Sequence, residues 1–295
     1  MTRGFLENIT LRSLVAPLTE AEFMFLLRER KLNLLRSMNG SRYTSLLGWD
    51  ALQDMIERGQ HPRGLDLFRL TKESVIVPPD RWLTKGKGDT DKVDITKVEE
   101  YLAKGFSLVM THLEQHVPPL AALCEDIKEQ LCEATYTGVI VTTGTDGAFR
   151  LHYDPEDLII LQIDGTKRWQ IFGPAVSNPL RGMPKQAPPE NAPIFDEVLQ
   201  PGDFLFVPAG NWHHCQGGPG RSIHLGIFFT PPTGWHAVKA LSSKLLSEEI
   251  FRTPLTRMED PSELAALEAD VKNRLIEKIG QLKLSDFVAG WTKKA

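Results

Sequence analysis

The spacing of apolar residues changes period along the chain, and the changes divide it into three parts. Residues 1–137 mix helical and extended patterns. Thr19-Glu20-Ala21-Glu22 fits a helix-opening capping box with Pro17 just before it. Phe23, Leu26, Leu27, Leu34 and Leu35 then recur at roughly helical spacing, and Asn39-Gly40 offers a stop. A second helix is predicted over 45–58, with Trp49, Leu52, Met55 and Ile56 as its apolar residues and Gly59 ending it. Residues 65–70 partly alternate and predict a strand, with 74–77 as its hairpin partner before Pro78-Pro79. Residues 85–92 read as a polar surface loop, 95–104 as a helix, 106–110 as a buried strand, and 118–133 as a helix opened by Pro118-Pro119.

From Gly138 the period shortens. Strands are predicted at 139–143, 149–153, 158–163, 168–172, 195–199, 203–207 and 222–229, punctuated by Gly, Pro and Asp. Many short strands with frequent turn residues indicate a β-sandwich or barrel over 138–230. The Pro-rich stretch 173–193 reads as an insertion loop. After Pro231-Pro232, residues 231–295 turn helical. One helix is predicted over 235–251. The next has Asp260 as N-cap, Pro261 at the first helical position and Glu263 in the first turn, and an apolar face of Leu264, Leu267, Val271, Leu275, Ile276 and Ile279.

Composition narrows the picture by exclusion. A net charge of −4 gives no basic field for nucleic acid. No apolar run is long enough to span a membrane, and the opening residues lack a signal-peptide core. Cys124, Cys132 and Cys215 are odd in number with no CxxC, which suits reduced thiols in the cytoplasm.

The candidate chemistry lies in the β-rich block. His152 and Asp154 are two apart, so in an extended strand both side chains face the same way. One imidazole and one carboxylate can then reach one ion. His213, far downstream, adds a second imidazole. Two His and one carboxylate on one face of an ion leave the opposite positions open, the facial triad of non-haem Fe(II) oxygenases. An HxD pair alone is a weak signal, and a hydrogen-bonded structural pair is the plainer alternative. His112 and His116 are four apart but straddle a strand-to-helix passage, a poor arrangement for a second metal.

Two separated stretches carry a resemblance: His152 with 158–169 (LIILQIDGTKRW), and 199–213 (LQPGDFLFVPAGNWH). They resemble the JmjC/cupin-like Fe(II)/2-oxoglutarate oxygenases, a group with the factor-inhibiting-HIF-like hydroxylases and the ribosomal oxygenases. The resemblance covers about 138–230 well and the flanking helices only in layout. It implies a double-stranded β-helix, a jelly-roll barrel with an N-terminal α/β region contributing to it and C-terminal helices after it. It implies His152, Asp154 and His213 as iron ligands, the last because the family places a ligand five residues after the Pro matching Pro208. His214 then points to the opposite strand face.

The resemblance also implies Lys167, fifteen residues after His152, as the partner of the cosubstrate's distal carboxylate. Arg168 competes, but alternation sends only one of the two inward, and Lys167 is the expectation. Thr142, Thr143 and Tyr153 are secondary cosubstrate candidates, while Phe149 sits where some relatives use a hydroxyl residue. Trp169 and Trp212 read as core. His224 fits either face of its strand.

The implied reaction is hydroxylation of a C–H bond with 2-oxoglutarate and O2 as cosubstrates, most readily on a protein or peptide side chain. A small molecule or biosynthetic peptide, demethylation, and a non-catalytic metal-binding cupin are the alternatives. The apolar faces after Pro231 suit either a homodimer or packing on the barrel.

Overall fold

The computed structural model describes residues 9–291, apart from 41, 44, 45, 59–66, 86–90, 132, 185, 258 and 259. The chain forms two compact units: residues 1–127 with 135–230, and residues 128–134 with 231–295.

In chain order the first unit has α1 (Leu11–Val15), α2 (Glu20–Glu29), β1 (Asn33–Leu35), α3 (Trp49–Glu57), β2 (Phe68–Lys72) and β3 (Val75–Ile76). It continues with β4 (Leu83–Lys85), β5 (Asp91–Val93), α4 (Ile95–Ala103), β6 (Ser107–Thr111) and α5 (Pro118–Leu131), within which the two units divide. The remaining strands are β7 (Ala134–Thr143), β8 (Asp157–Asp164), β9 (Lys167–Pro174), β10 (Phe195–Leu199), β11 (Phe204–Val207), β12 (Asn211–Gly217) and β13 (Arg221–Thr230). The second unit carries α6 (Gly234–Leu245), α7 (Pro261–Gly280) and α8 (Leu284–Trp291).

Eight strands form a main sheet in the order β1-β11-β8-β13-β7-β6-β2-β3, and β10-β9-β12 form a smaller one. The long sequence jumps between neighbours are those of a jelly roll, in which strands close in sequence alternate between two sheets. A buried cluster joins the two: Leu158, Ile160, Leu205 and Val207 from the main sheet meet Trp169, Ile171, Leu199 and Cys215 from the smaller. The other face of the main sheet is covered as well. Phe23 of α2 packs edge-on against Phe204 and Phe206 at 6.4 and 5.5 Å. Burial on both faces explains why β8 is an almost unbroken apolar run rather than an alternating one.

The N-terminal region is woven into the barrel, since β1, β2, β3 and β6 all belong to the main sheet. Here two sequence expectations are corrected. The helix opened by Thr19 stops at Arg30, which is left-handed at φ 51. Leu34 and Leu35, expected on that helix, lie in β1 and pair with Leu205 and Phe204. Pairing to an open sheet edge outweighed the helical period. The hairpin near residue 70 is present but shifted: Thr71 pairs with Ile76 and Lys72 with Val75, and residues 65 and 66 lie outside those described. The second helix starts at Trp49, and Ser45 is likewise outside the described residues. Most of the 85–92 loop is too, although its ends pair as β4 and β5.

The helix predicted over 235–251 divides into α6 and a 3₁₀ turn at Glu249–Arg252. The start of α7 follows its capping residues, with Asp260 accepting from the Ser262 N–H at 2.8 Å. Among the described residues, no helix is long and apolar enough to cross a membrane.

Candidate metal centre and cosubstrate pocket

Residues 149–153 form no continuous strand. Instead His152 makes a single antiparallel bridge to His213 of β12. The His213 N–H donates to the His152 carbonyl at 2.7 Å and the His152 N–H returns the bond at 3.1 Å. This brings two histidines distant in sequence side by side, with ring centroids 4.3 Å apart. The turn before β12 holds the register. Gly210 sits at φ +80, where an added Cβ would meet the Val176 carbonyl at 2.6 Å, and its N–H donates to the Asp154 carbonyl at 2.8 Å. Asp157 accepts from the Ala209 N–H at 2.7 Å. A register shift between Trp212 and His213 re-aims the latter, a common use of a bulge beside a functional site.

The side-chain atoms of His152, Asp154 and His213 that can bind a metal lie within 4.8 Å of one another. Asp154 Oδ2 is 3.6 Å from His213 Nε2 and 4.0 Å from His152 Nε2. Both rings are oriented by the backbone. His152 Nδ1 lies 2.7 Å from the Arg150 carbonyl, and His213 Nδ1 lies 2.9 Å from the Asn211 carbonyl. A carbonyl only accepts, so each ring proton sits on Nδ1 and each Nε2 presents a lone pair. That is how a metal-binding histidine is commonly held. Burial and the neighbouring His152 push His213 down to about 4, so it is neutral near pH 7. Two neutral imidazoles and a carboxylate fit a divalent first-row cation with open positions.

The three groups line a cavity of about 570 Å³. Its walls include Trp169, Cys215, Phe149 and a stack in which Tyr136 lies between His112 (4.9 Å) and Phe228 (4.7 Å). Gly226 makes room for that stack, since a Cβ there would meet the Phe228 ring at 2.9 Å. At one wall Arg181, from the 173–193 insertion, donates to buried Glu156 at 2.8 Å and to the Tyr136 hydroxyl at 3.2 Å.

Lys167 is 1% exposed, while Arg168, its neighbour, faces out and pairs with Asp196. The Lys167 Nζ is 3.1 Å from Thr142 Oγ1 and 3.0 Å from His224 Nδ1. Burial lowers this lysine to about 8, so at pH 7 it is still an ammonium, with no carboxylate among these partners. A buried cation without an anion is costly by itself and fits an anionic ligand.

The other sequence candidates fall in different places. Thr142 bonds Lys167 and Ser107. The Thr143 hydroxyl is buried without a hydrogen-bond partner. Tyr153, between the two ligand candidates in sequence, is sent the other way by alternation and packs edge-on against Trp212 at 5.0 Å, away from the cavity lining. His214 also faces away, 3.7 Å from Glu73. His224, balanced between two faces in the sequence, lines the cavity. His112 pairs with Glu114 and stacks on Tyr136. Sequence reasoning passed over Glu156, Tyr136, Arg181 and Phe228. Only Glu156 carried a signal, its spacing of two from Asp154.

Residues 111–237 match the model of the JmjC domain. The chain is 22% identical over 238 residues to the bifunctional lysine-specific demethylase and histidyl-hydroxylase NO66 of Aedes aegypti, covering 75% of this chain and 34% of that protein. It is 28% identical over 265 residues to ribosomal oxygenase 1 of Rattus norvegicus, covering 83% of this chain and 42% of that protein. The chain thus spans less than half the length of these two relatives. Among solved structures, Escherichia coli YcfD aligns at TM-score 0.57 and 17% identity, over 93% of this chain and 70% of that one. Its complex with cobalt and 2-oxoglutarate aligns at TM-score 0.52 and 18% identity, over 88% and 67%.

Proposed function

We propose, from the match of residues 111–237 to the JmjC domain, that this chain is an Fe(II)- and 2-oxoglutarate-dependent dioxygenase that hydroxylates a C–H bond on a protein or peptide side chain. One observation carries the reading: the Nε2 atoms of His152 and His213 and a carboxylate oxygen of Asp154 converge at the wall of a cavity, with both imidazoles already turned by backbone carbonyls. The YcfD complex with cobalt and 2-oxoglutarate supports the choice of cosubstrate, and the names of NO66 and ribosomal oxygenase 1 support a polypeptide substrate.

In this reading His152, Asp154 and His213 would hold the iron. The bound metal supplies oxidative chemistry that couples decarboxylation of 2-oxoglutarate to hydroxylation. The chain supplies position. The Nδ1–H bonds to the Arg150 and Asn211 carbonyls keep the rings from turning. Lys167 neutralises the distal carboxylate of the cosubstrate with a charge-assisted hydrogen bond in a water-poor interior. The aromatic stack of His112, Tyr136 and Phe228 forms an apolar wall for the substrate side chain. No protein general base is required.

We infer in addition a cytoplasmic homodimer formed through the 231–295 helices. Val238, Leu264, Ile276, Ile279 and Val288 are exposed along them, and Cys124 and Cys215 are free, buried thiols.

Anaerobic titration with Fe(II) and 2-oxoglutarate tests the central reading. A visible charge-transfer band is expected in the wild type and absent in His152→Ala, and aerobic turnover is expected to yield succinate. Folded, iron-loaded protein giving neither would defeat the oxygenase reading. Incubation with lysate proteins, followed by mass spectrometry for one added oxygen, identifies the substrate.

A further inference from the structure

The turn between β2 and β3 is strained, and it sits where the two histidine-bearing segments meet. Glu73 and Ser74 are its two central residues, and both are left-handed, at φ 47 and 65. Paired left-handed centres suit a tight hairpin, but Asn and Gly are the residues that adopt them most readily. Neither is present. Such a conformation persists where its surroundings hold it in place, and it clusters near functional sites. The surroundings here are residues 147–150, the segment that leads to His152. The Glu73 N–H donates to the Gly147 carbonyl at 2.9 Å, and the Ser74 N–H to the Ala148 carbonyl at 3.0 Å. In return the Gly147 N–H donates to Glu73 Oε1 at 3.0 Å and the Arg150 N–H to Ser74 Oγ at 3.1 Å. The Arg150 carbonyl is the group that faces His152 Nδ1 at 2.7 Å.

The same Glu73 oxygen also reaches the strand that carries His213, for His214 Nε2 lies 3.7 Å from it. Alternation along β12 aims His213 into the cavity and His214 at this carboxylate. Gly147 lies in between. A Cβ there would meet the Cys215 carbonyl at 2.7 Å, Glu73 Oε1 at 3.0 Å and His214 Nε2 at 3.3 Å, so glycine is what lets the three segments approach this closely. The backbone bridge from His152 to His213 is thus accompanied by a second tie on the other face of β12.

We propose that Glu73, with His214, is a positioning clamp for the metal centre. It joins the 147–150 segment to β12, fixes how far apart the two imidazoles stand, and so raises metal affinity. The proposal rests on the metal-centre part of the oxygenase reading. It gives a task to His214, which faces away from the metal ligands. It also explains why a strained Glu-Ser pair stands where Asn-Gly would close the hairpin more easily, since an asparagine in place of Glu73 would stop one methylene short.

The test is Co(II) titration of the metal-free protein, read by visible absorption against a competing chelator. Glu73→Gly fits the left-handed turn but removes the carboxylate. It is expected to lose roughly tenfold or more in Co(II) affinity, the size typical when an outer partner of a metal ligand is removed, and to alter the Co(II) spectrum. Glu73→Gln keeps an oxygen acceptor for the Gly147 N–H and is expected to recover most of the loss. His214→Ala is expected to weaken Co(II) binding less in the Glu73→Gly background than in the wild type, because both changes cut one tie. The proposal is overturned if Glu73→Gly binds Co(II) like the wild type, if Glu73→Gln rescues nothing, or if the two losses simply add. A second measurement needs no variant. If the clamp favours the metal, the metal favours the clamp by the same factor. Zn(II) is therefore expected to slow hydrogen exchange at the Glu73, Ser74 and Gly147 amides of the wild type, and unchanged exchange overturns the proposal. If the wild type binds neither Co(II) nor Zn(II), the metal-centre reading itself has failed. If it binds both and Glu73→Gly does not differ, only the clamp has.

Discussion

The barrel and the C-terminal helices spend their apolar residues in opposite ways. Every residue of β11 is buried, as is all of β8 except its last. In α7, twenty residues long, none is buried, and Leu264, Ile276 and Ile279 stand exposed. The barrel closes its own core between two sheets, and three candidate ligands converge at its wall. The helices leave apolar side chains exposed to solvent, and the homodimer proposed above rests on that surface. The contrast teaches that apolar residues close a core in one region and stay exposed in the other.

The largest effect should come from the barrel's point of convergence. His213→Ala is expected to abolish succinate formation, measured by NMR, down to the enzyme-free control, while far-UV circular dichroism stays unchanged. A variant that kept turning over would break the link between that convergence and the metal site. Next, Leu161→Ala in β8, at 0% exposure, is expected to cost about 2–5 kcal/mol in urea unfolding because it opens a cavity in a packed core.

Lys167 sharpens the comparison, since its buried ammonium works against stability. Its pKa falls from 10.5 to about 8 on folding through desolvation. The folded chain therefore binds fewer protons than the unfolded one between those values, and the stability due to this side chain rises with pH across that window. At pH 7 the buried charge costs about 3 kcal/mol. Lys167→Met is thus expected to be at least as stable as the wild type without cosubstrate at pH 7. The stability of the wild type relative to the variant should rise by about 3 kcal/mol between pH 8 and 10.5. The thermal shift given by 2-oxoglutarate should vanish in the variant, and in the wild type 2-oxoglutarate affinity should fall as pH rises above about 8. The smallest effect belongs to the helices. Ile276→Ser is expected to change monomer unfolding by less than about 0.5 kcal/mol, yet to weaken self-association in sedimentation equilibrium. A large loss of monomer stability instead would show that α7 is core.

Much of this was legible beforehand for local reasons. The HxD spacing, the capping box at Thr19, the N-cap at Asp260, and the strand texture after Gly138 are properties of a few consecutive residues. Lys167 and Arg168 separate by simple alternation. Three features were not legible. Leu34 and Leu35 keep helical spacing but lie in β1, because an open edge at β11 competes for them. His224 was ambiguous because a bulge, invisible in sequence, resets the alternation just before it. The wall made by His112, Tyr136 and Phe228 joins residues far apart in the chain and leaves no local mark.

The order of residues alone determined which side chains can bind a metal and which face of a strand each pair shares, because alternation is a property of neighbouring peptides. Only the tertiary fold decided that the bridge between His152 and His213 forms, that Lys167 is buried without an anion, and that His224 turns toward it. Those outcomes depend on strand register and on what is packed across the barrel, and neither is written in any short stretch of chain.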